Sequence, residues 1–522
     1  MELLTSDQMQ AYDRQTINEL GVPGAVLMVN AGRAAVSELV KKYAHLAPGP
    51  VLVLTGKGNN GGDGYVMALA LRELGWQVQT LVLADREQIA GDARLQLQAL
   101  EDSGAEPAFV STATELASRL EGCQDVALVV DAIFGTGLSS PVRGLAAVAI
   151  DWINRFAGPV LAVDIPSGVD ASSGRICGAA VRADLTVSFA FAKIGQVVFP
   201  GVAQVGELKI VDIGIPQELA VKRNNPVRLE TAATVCELFP PRPLTGHKGT
   251  FGHLLVIAGS AGKIGAAVLS AEAAMRVGAG LTTLAAPQPI QPVLAGKLLE
   301  VMTEAVGSGE AYLGEGDFPG LQKLGRDKQA LAIGPGLGTA GPTVDLVCQL
   351  VTESTQPMVI DADALNALAT HRHLLKHVQN RQLVLTPHPG EMARLTGLSI
   401  AEIEADRIAV ARLFAQDHQL VLVLKGARTL TALPDGTVYV NSSGNPGMAS
   451  GGMGDVLTGM IGGLLAQGVA PGIAARLAVF WHGQSGDDLA TNMGDCGLLA
   501  GDLLRRLPET RLALLKNGGE RC

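Results

Sequence analysis

Residues 51–75 read VLVLTGKGNNGGDGYVMALALRELG, and this one stretch sets the pattern of the whole fold. The apolar run at 51–55 predicts a buried strand, and the glycine-rich segment 56–64 predicts a tight turn at its carboxyl end. The segment 65–75 predicts a helix. A strand that passes through a glycine turn into a helix is the repeating unit of a mostly parallel sheet with helices on both faces.

The same unit recurs along the chain in two series. Strands are predicted at 125–135 and 160–168 in the first half, and at 253–260 in the second half, each followed by a turn. Between the series, proline-rich sequence with weak periodicity predicts a connecting segment. The length of 522 residues also suits two or three domains. The predicted parts are a first α/β domain at 1–216, a linker at 217–230 and a second α/β domain at 231–512.

The bulk composition excludes several classes of protein. The chain has 40 basic and 50 acidic residues, a net charge of −10, which disfavours nonspecific binding of nucleic acid. Six cysteines have no paired spacing, so we expect reduced, mostly buried thiols. The polar start of the chain is unlike a signal peptide, and no unbroken apolar run of about 18 residues predicts a membrane span. We therefore expect a cytoplasmic protein with no nucleic-acid or membrane partner.

Polar residues collect at the predicted strand ends of the first domain. Asn60 and Asp63 lie in the glycine turn, and Asp131 and Asp164 each end a strand. Ligands of open α/β sheets bind beyond the carboxyl ends of the strands, where these residues are predicted. Oxygen atoms of Asn60, Asp131 and Ser167 could share a hard cation. Each aspartate taken singly is more simply a helix N-cap or turn former, but three polar strand ends in one sheet favour a site.

A dinucleotide-binding site of the Rossmann type is an alternative for the first domain. The segment 56–61, GKGNNG, matches the G-x-G-x-x-G pattern, and Asp85 ends the next strand at a suitable distance for a ribose contact. Two features argue against this alternative. The turn holds two asparagines and an aspartate, more polar groups than a pyrophosphate needs, and further polar loops follow two later strands.

The second domain contains ASGGMGDV at 449–456 and KGART at 425–429. The backbone amides of a glycine turn that opens a helix gather where the helix dipole stabilises phosphate charge. Asp455 would then lie within reach of a hydroxyl group that loses a proton. Lys263 in GSAGKIG is not a Walker lysine, because no G-x-x-x-x-G-K-[ST] occurs, and a P-loop NTPase is therefore disfavoured.

A histidine of the second domain also points to a ligand. His388 follows a predicted strand, and Pro387, Pro389 and Glu391 flank it. A histidine in this position is otherwise read as a surface or internally hydrogen-bonded residue. Its position just past a strand favours a ligand contact, and Glu391 could orient a magnesium-bound water.

Four motifs of the first domain, in order, resemble the NAD(P)H-hydrate epimerase family: NNGGDG (59–64), DAIFGTGL (131–138), VDIPSGVDA (163–171) and FAFAKIGQ (189–196). The resemblance covers about residues 1–215 and implies a Rossmann-like α/β/α sandwich. It implies potassium held by Asn60, Asp131 and Ser167, with Asp164 as the acid/base. The residues that it implies for binding hydrated NAD(P)H are Asn59, Asn60, Gly61, Gly62, Asp63, Gly135, Thr136, Gly137, Leu138, Ser139, Ser140, Pro141 and Asp164. Val29 departs from the acidic residue expected in many relatives.

The second domain resembles the ribokinase-like fold and, within it, the ADP- or ATP-dependent NAD(P)H-hydrate dehydratases. HKGTFG (247–252), TPHPGE (386–391) and GMASGGMGDVL (447–457) carry this resemblance, which spans about residues 230–510. It implies magnesium, and ADP or ATP as co-substrate. The nucleotide contacts implied are Lys425, Gly426, Ala427, Arg428, Thr429 and Gly454. The hydrate contacts implied are Ala266, Gly336, His388 and Asp455, with Asp455 catalytic.

The two resemblances point to one substrate pair, NADH hydrate and NADPH hydrate. They imply a bifunctional repair enzyme that interconverts the R and S hydrates and dehydrates the S form at the expense of ADP or ATP. One alternative is a small-molecule kinase, of the hydroxymethylpyrimidine or sugar type, with an accessory binding domain. Another is an inactive N-terminal binding module on an active dehydratase. The Ala/Gly-rich helix predicted at 264–280 leads us to expect a homo-oligomer.

Overall fold

The computed structural model describes residues 1–123, 125–219, 226–307, 309–376, 378 and 382–519. The chain divides into two compact units, Glu2–Val227 and Arg228–Cys522, the latter with Met1. Part of the predicted linker, 220–225, lies outside the described residues, and the last four residues of that prediction form a strand. The prediction of two α/β domains with largely parallel sheets is confirmed.

The N-terminal unit is built on seven parallel strands in the order β4-β3-β2-β5-β6-β7-β9. Its strands are β1 (Leu3–Leu4), β2 (Pro50–Thr55), β3 (Gln77–Val82), β4 (Ala108–Phe109), β5 (Leu128–Ala132), β6 (Val160–Val163), β7 (Leu185–Phe189), β8 (Ala192–Lys193) and β9 (Glu207–Val211). Its helices are α1 (Ser6–Asn18), α2 (Gly24–Tyr43), α3 (Asn59–Glu73), α4 (Gly91–Asp102), α5 (Ala113–Glu121), α6 (Gly144–Ile153) and α7 (Val202–Val205). Strands β1 and β8 pair separately. The central strands are buried on both faces, as expected of a parallel sheet.

The C-terminal unit has ten strands in the order β10-β19-β18-β17-β16-β15-β14-β11-β12-β13. They are β10 (Val227–Glu230), β11 (His253–Ile257), β12 (Leu281–Pro287), β13 (Met302–Val306), β14 (Ala330–Ile333), β15 (Met358–Ile360), β16 (Leu383–Leu385), β17 (Val421–Leu424), β18 (Leu430–Ala432) and β19 (Val438–Asn441). Neighbouring strands from β13 to β17 in this order are parallel to each other. Strand β18 is antiparallel to β17, and β19 is antiparallel to β18.

Twelve helices are described in this unit. The shorter ones are α8 (Ala232–Val235), α10 (Gln291–Ala295), α11 (Phe318–Gly325), α13 (Ala362–Thr370), α14 (Pro389–Thr396) and α15 (Ile400–Ala405). The longer ones are α9 (Ile264–Arg276), α12 (Gly341–Glu353), α16 (Arg407–His418), α17 (Met453–Ala466), α18 (Pro471–Met493) and α19 (Ala500–Gly519). None of the helices in the described part of the chain is both long and apolar enough to cross a membrane.

Helices α9 and α17 approach each other through small residues. A Cβ added at Gly459 of α17 would lie 2.0 Å from the carbonyl oxygen of Ser270 on α9, and one at Gly463 would lie 2.8 Å from Cα of Ala274. The Ser270 hydroxyl donates a hydrogen bond to the carbonyl of Asp455, 3.0 Å away. The small residues of α9 are explained by this packing against a helix of the same chain. They therefore do not support the predicted subunit interface. The homo-oligomer stays a prediction.

Two expectations require correction. The glycine turn predicted at 56–64 ends earlier, because α3 already begins at Asn59. The expectation of mostly buried thiols was wrong: of the described cysteines, which form no disulfide, Cys123 is buried and Cys496 is exposed, and the others are intermediate. Cys522 lies outside the described residues.

Substitution of Gly459 by alanine should destabilise the C-terminal unit. The added methyl group would overlap the Ser270 carbonyl, and overpacking of this kind costs about 1–3 kcal/mol. Gly320→Ala in helix α11 is the matched control, because a Cβ there meets open space and alanine favours a helix. Thermal and denaturant unfolding measure both variants. Equal stability of Gly459→Ala and the control would contradict this account of the packing.

Candidate functional site

A cavity of about 590 Å³ opens at the carboxyl ends of the strands in the N-terminal unit. It lies beyond β2, β5 and β6, where sequence reasoning placed the first site. The predicted residues that line it are Asn59, Asn60, Asp63, Gly135, Thr136, Gly137, Leu138, Ser139, Ser140 and Asp164. The structure therefore gathers residues from the start of α3 and from two later loops around one space large enough for a small organic ligand.

Three of the residues predicted to bind substrate are not in the lining: Gly61, Gly62 and Pro141. The two glycines serve packing instead. A Cβ at Gly61 would lie 2.1 Å from the carbonyl oxygen of Gly56, and one at Gly62 would lie 2.5 Å from the sulfur of Met28. The glycines of NNGGDG thus let helix α3 begin directly against neighbouring backbone and side chains.

Asp164 adopts a left-handed backbone conformation, with φ of 64°, which is costly for a residue other than glycine. Its amide donates to the carbonyl of Val187 at 2.8 Å, and its own carbonyl accepts from Nε2 of Gln196 at 2.5 Å. The surrounding hydrogen bonds therefore hold the strained residue in place. Residues kept in such conformations cluster at functional sites, which agrees with the predicted role of Asp164.

Lys193 is a site residue that sequence reasoning missed. It is fully buried, lines the cavity, and its Nζ lies 2.5 Å from Oδ1 of Asp164. A signal was present, because FAFAKIGQ places one lysine within an apolar run. A lysine in such a run is rarely buried without a partner, so a carboxylate partner was to be expected.

The carboxylates of this cavity influence one another. Burial, followed by repulsion from Asp164, raises the pKa of Asp13 to about 6. Burial, together with repulsion from Asp164 and Asp13, holds the pKa of Asp63 well above its usual value. The Lys193 ammonium opposes both shifts. The site therefore combines one buried cation with carboxyl groups that can hold protons near neutral pH. Asp13, on helix α1, is a second residue that sequence reasoning missed.

Of the residues predicted to hold potassium, Asn60 lines this cavity, whereas Asp131 and Ser167 are fully buried and do not. Oδ1 of Asp131 accepts from the Ser167 hydroxyl at 2.6 Å, and that hydroxyl also lies 3.2 Å from the carbonyl of Phe134. Burial raises the pKa of Asp131 to about 6, although the hydrogen bonds from Ser167 act to lower it. Asn60 Nδ2 is buried and has no hydrogen-bond partner among the described residues. Amide, hydroxyl, carbonyl and carboxylate oxygens are the ligands of hard cations, so these residues fit the predicted ion.

The second site forms around Lys425 at the carboxyl end of β17. Its Nζ lies 2.6 Å from Oδ1 of Asp361, and the Thr458 hydroxyl donates to Oδ2 of the same carboxylate at 2.6 Å. Burial acts to lower the pKa of Lys425, but the carboxylates of Asp361 and Glu391 outweigh it and raise the pKa above its usual value. Asp361 belongs to the DADALN sequence and was not predicted as a site residue.

The glycine turn before α17 approaches this ion pair. Gly452 has φ of 93° and caps the helix, and a Cβ at Gly454 would lie 3.4 Å from Nζ of Lys425. Asp455 follows in the first helical turn. Burial, then repulsion from Asp361, raises the pKa of Asp455 to about 6. The structure thus brings together the predicted base, the predicted glycine turn and the lysine of KGART.

His388 and Glu391 form a reciprocal cap at the start of α14. The amide of His388 donates to Oε2 of Glu391 at 2.8 Å, and Nδ1 of His388 accepts from the amide of Gly390 at 3.0 Å. Burial, followed by repulsion from Lys425, lowers the pKa of His388. Burial raises the pKa of Glu391 to about 7, although the Lys425 ammonium opposes this. His388 is half exposed, and its Nε2 lies 3.5 Å from Oε1 of Glu391.

The two predicted hydrate contacts from earlier loops are neighbours. Gly336 has φ of 67°, and a Cβ there would lie 3.3 Å from Cβ of Ala266. Its carbonyl accepts from the Ser260 hydroxyl at 2.7 Å. Lys263, close by, pairs with Asp363 at 3.0 Å. These contacts fix the two loops to each other.

The rest of KGART forms a tight, supported turn. Gly426 has φ of 141°, and its amide donates to the Thr429 hydroxyl at 3.3 Å. The guanidinium of Arg407 donates to the carbonyls of Leu424 and Lys425 from behind. Gly426 and Ala427 are exposed. Arg428 donates to the carbonyl of Ser442 at 2.5 Å, so its side chain already has a partner within the protein.

The chain is similar along almost its full length to known proteins. The family described as NAD(P)H-hydrate dehydratase matches residues 254–509, and the family described as YjeF-related protein N-terminus matches residues 24–195. The bifunctional NAD(P)H-hydrate repair enzyme of Moorella thermoacetica is 44% identical over 97% of this chain and 96% of its own length. The enzyme of that name from Escherichia coli is 37% identical over 96% of this chain and 92% of its own.

A solved structure is similar to the C-terminal unit. The ADP/ATP-dependent NAD(P)H-hydrate dehydratase of Bacillus subtilis, co-crystallised with ATP and Mg²⁺, is 33% identical to this chain. The match covers 55% of this chain and 99% of that one, with a TM-score of 0.48.

Fold and sites together define a two-domain enzyme in which a Rossmann-like α/β/α sandwich precedes a ribokinase-like domain. The chain belongs to the family of bifunctional NAD(P)H-hydrate repair enzymes. Its N-terminal domain is an epimerase and its C-terminal domain a dehydratase.

Replacing Asp361 by asparagine should strongly destabilise the C-terminal unit. The Lys425 ammonium would lose its closest counter-ion while remaining largely buried, and breaking such a pair costs about 3–5 kcal/mol. Asp363→Asn is the matched control, since its partner Lys263 is half exposed and such pairs contribute about 1 kcal/mol or less. Denaturant unfolding gives both values. A cost for Asp361→Asn no larger than that of the control would contradict the importance of this pair.

Proposed function

We propose that the two sites described above carry the two reactions of this repair enzyme, with Asp164 as the proton-transferring group of the first and Asp455 of the second. The observation that carries the proposal is the arrangement around each aspartate. Asp164 is a strained residue on the wall of a 590 Å³ cavity, and Asp455 opens a helix behind a glycine turn. In both cases the aspartate lies at the carboxyl edge of a parallel sheet.

The first reaction needs little more than a proton transfer. In the hydrate, a hydroxyl group is bonded to the carbon beside the ring nitrogen, and the nitrogen lone pair can expel it. Water then re-adds from either face, which interconverts the R and S forms. Asp164 donates a proton to the oxygen as it leaves and takes one back from the water that re-adds. The residues 135–140 and Asn59 enclose the ligand.

Potassium belongs to this proposal as a resident ion of the first site. Asn60, Asp131 and Ser167 would hold it, with the carbonyl of Phe134 beside them. When bound, the ion supplies positive charge that favours anionic groups of the ligand and of the protein. The Asp131 carboxylate would be its one charged ligand in this set.

The second reaction needs a better leaving group than hydroxide. Asp455 removes the proton of the substrate hydroxyl, and the terminal phosphoryl group of ADP or ATP moves to that oxygen. Phosphate then leaves while the neighbouring ring carbon releases a proton to water, and the electrons of that C–H bond form the ring double bond again. The amides of the glycine turn and the start of α17 stabilise the charge that develops on the phosphoryl group. The pair of hydrates thus becomes NADH and NADPH, with AMP or ADP and phosphate as the other products.

The nucleotide contacts are proposed at Lys425–Thr429 and Gly454, and the hydrate contacts at Ala266, Gly336, His388 and Asp455. Gly454 lies close to Nζ of Lys425, which places one charged group beside the turn that would bind phosphate. Magnesium would be held by nucleotide phosphates and by water oriented by Glu391, and when bound it neutralises phosphate charge. Glu391 fits this role because its carboxylate is buried beside Lys425.

Asparagine substitutions at the two aspartates should separate the reactions. Asp164→Asn should lower the interconversion of purified hydrate epimers at least 100-fold without affecting dehydration of the S form, because general acid–base groups contribute factors of about 10²–10⁴. Asp455→Asn should lower dehydration of the S form by a similar factor without affecting epimerisation. Chromatography of the epimers and recovery of reduced-nicotinamide absorbance, with ADP and ATP compared, are the two measurements.

Each variant is the control for the other in this experiment. Retention of nearly full epimerisation by folded Asp164→Asn, or of dehydration by folded Asp455→Asn, would refute the assignment concerned. Accumulation of a stable phosphorylated product, with no recovery of absorbance, would instead support the small-molecule kinase alternative.

The dehydratase rate should fall as the pH drops through about 6. Asp455 acts as a base only when ionised, and its pKa is raised to about 6, so activity is present above that pH and lost below it. Asp363→Asn should move the midpoint to lower pH, because the Asp363 carboxylate is among the groups that raise the pKa of Asp455. The measurement is kcat/KM for the S hydrate between pH 5 and pH 8. A midpoint unchanged by Asp363→Asn would contradict this electrostatic coupling.

A further inference from the structure

The ammonium group of Lys193 has all three of its hydrogen-bonding positions occupied by the protein. Nζ lies 2.5 Å from Oδ1 of Asp164, 2.9 Å from the Ser188 hydroxyl and 3.1 Å from the carbonyl of Phe189. The side chain is fully buried. An ammonium group has three donors and no acceptor. Lys193 therefore has no donor left for a substrate unless it gives up one of these contacts.

The contacts of Asp164 are confined to one of its two carboxylate oxygens. Oδ1 accepts from Nζ of Lys193 and from the amide of Phe189, which is 3.2 Å away, and the Ser188 hydroxyl lies at 3.5 Å. From the part of the chain that the structure describes, no hydrogen bond reaches Oδ2. Since Asp164 lines the cavity, its second oxygen is available to a ligand.

We propose that Lys193 is the positioning residue of the epimerase site: it anchors Oδ1 of Asp164 and leaves Oδ2 to exchange a proton with the hydrate. This inference rests on the role proposed above for Asp164. Lys193 keeps its own proton throughout, and the proton that moves passes between the substrate oxygen and Asp164. The buried charge has a direct purpose here, because a carboxylate fixed at one oxygen offers the other in a single orientation.

The position of Lys193 among the acidic groups supports this assignment. Asp13 on α1, Asp63 on α3 and Asp164 after β6 all line the same cavity, and Arg14 acts on Asp13 from α1. Lys193 lowers the pKa of both Asp13 and Asp63 against the effect of burial. Of the three carboxylates, Asp164 is the one that Lys193 contacts directly. The direct contact of Lys193 is therefore with the carboxylate that is proposed to transfer the proton.

The test compares three variants of the full-length enzyme with purified R or S hydrate and no nucleotide. Lys193→Met keeps the length of the side chain and removes its charge; it should lower kcat for epimerisation at least 100-fold with KM changed less than threefold. Lys42→Met removes a half-exposed pair with Glu207 and is the matched control, with unchanged kinetics.

Ser188→Ala is the milder second variant, in case Lys193→Met does not fold. It removes one acceptor of Nζ and should lower kcat three- to tenfold at constant KM. Thermal unfolding of the same preparations reports whether each variant is folded. A folded Lys193→Met or Ser188→Ala with wild-type kcat, or with a loss confined to KM, would overturn the inference.

The outcome for Asp164 separates the two proposals. If Asp164→Asn is inactive as an epimerase while folded Lys193→Met is fully active, the positioning role alone is refuted. If Asp164→Asn remains active, the proposed role of Asp164 fails, and the inference about Lys193 fails with it.

Discussion

Each half of the chain is organised around a lysine ammonium that is removed from water and held against a carboxylate. Lys193 pairs with Asp164 in the first half, and Lys425 pairs with Asp361 in the second. Burial of an unpaired charge is so costly that either partner alone would be expelled or neutralised. The loops that follow the parallel strands must therefore bring both charges to the same place, and this requirement fixes the edge of each sheet at which the proposed site forms.

Close backbone approach is the second constraint, and glycine and alanine meet it. Gly61 lets the start of α3 lie against the preceding strand end, and Gly459 lets α17 pack on the backbone of α9. The hydrogen bond from Ser270 to the carbonyl of Asp455 shows what this packing achieves. It fixes the first turn of the helix that carries the proposed base. The glycines of the chain therefore help to position functional groups as well as to form turns.

Much of the architecture and of both sites was predictable from the sequence. Strand, glycine turn and helix follow one another in a pattern that is readable locally, and parallel strands place their carboxyl ends at one edge. Asp131 and Asp164 were therefore predicted to lie near each other, and the glycine turn that opens α17 led to the prediction of Asp455. The partner of Asp164, which is Lys193, and the partner of Lys425, which is Asp361, were missed, because each lies in a segment far along the chain from the group that it contacts.

The sequence by itself determined the two α/β domains, the glycine turns and the identities of the charged residues, since each depends on a few neighbouring side chains. The tertiary structure alone decided which oxygen of Asp164 is hydrogen-bonded, and that Lys425 lies between Asp361 and Glu391. Only the folded chain removes these groups from water. The resulting desolvation raises the pKa of Asp455 to about 6 and that of Glu391 to about 7, changes that no local sequence pattern contains.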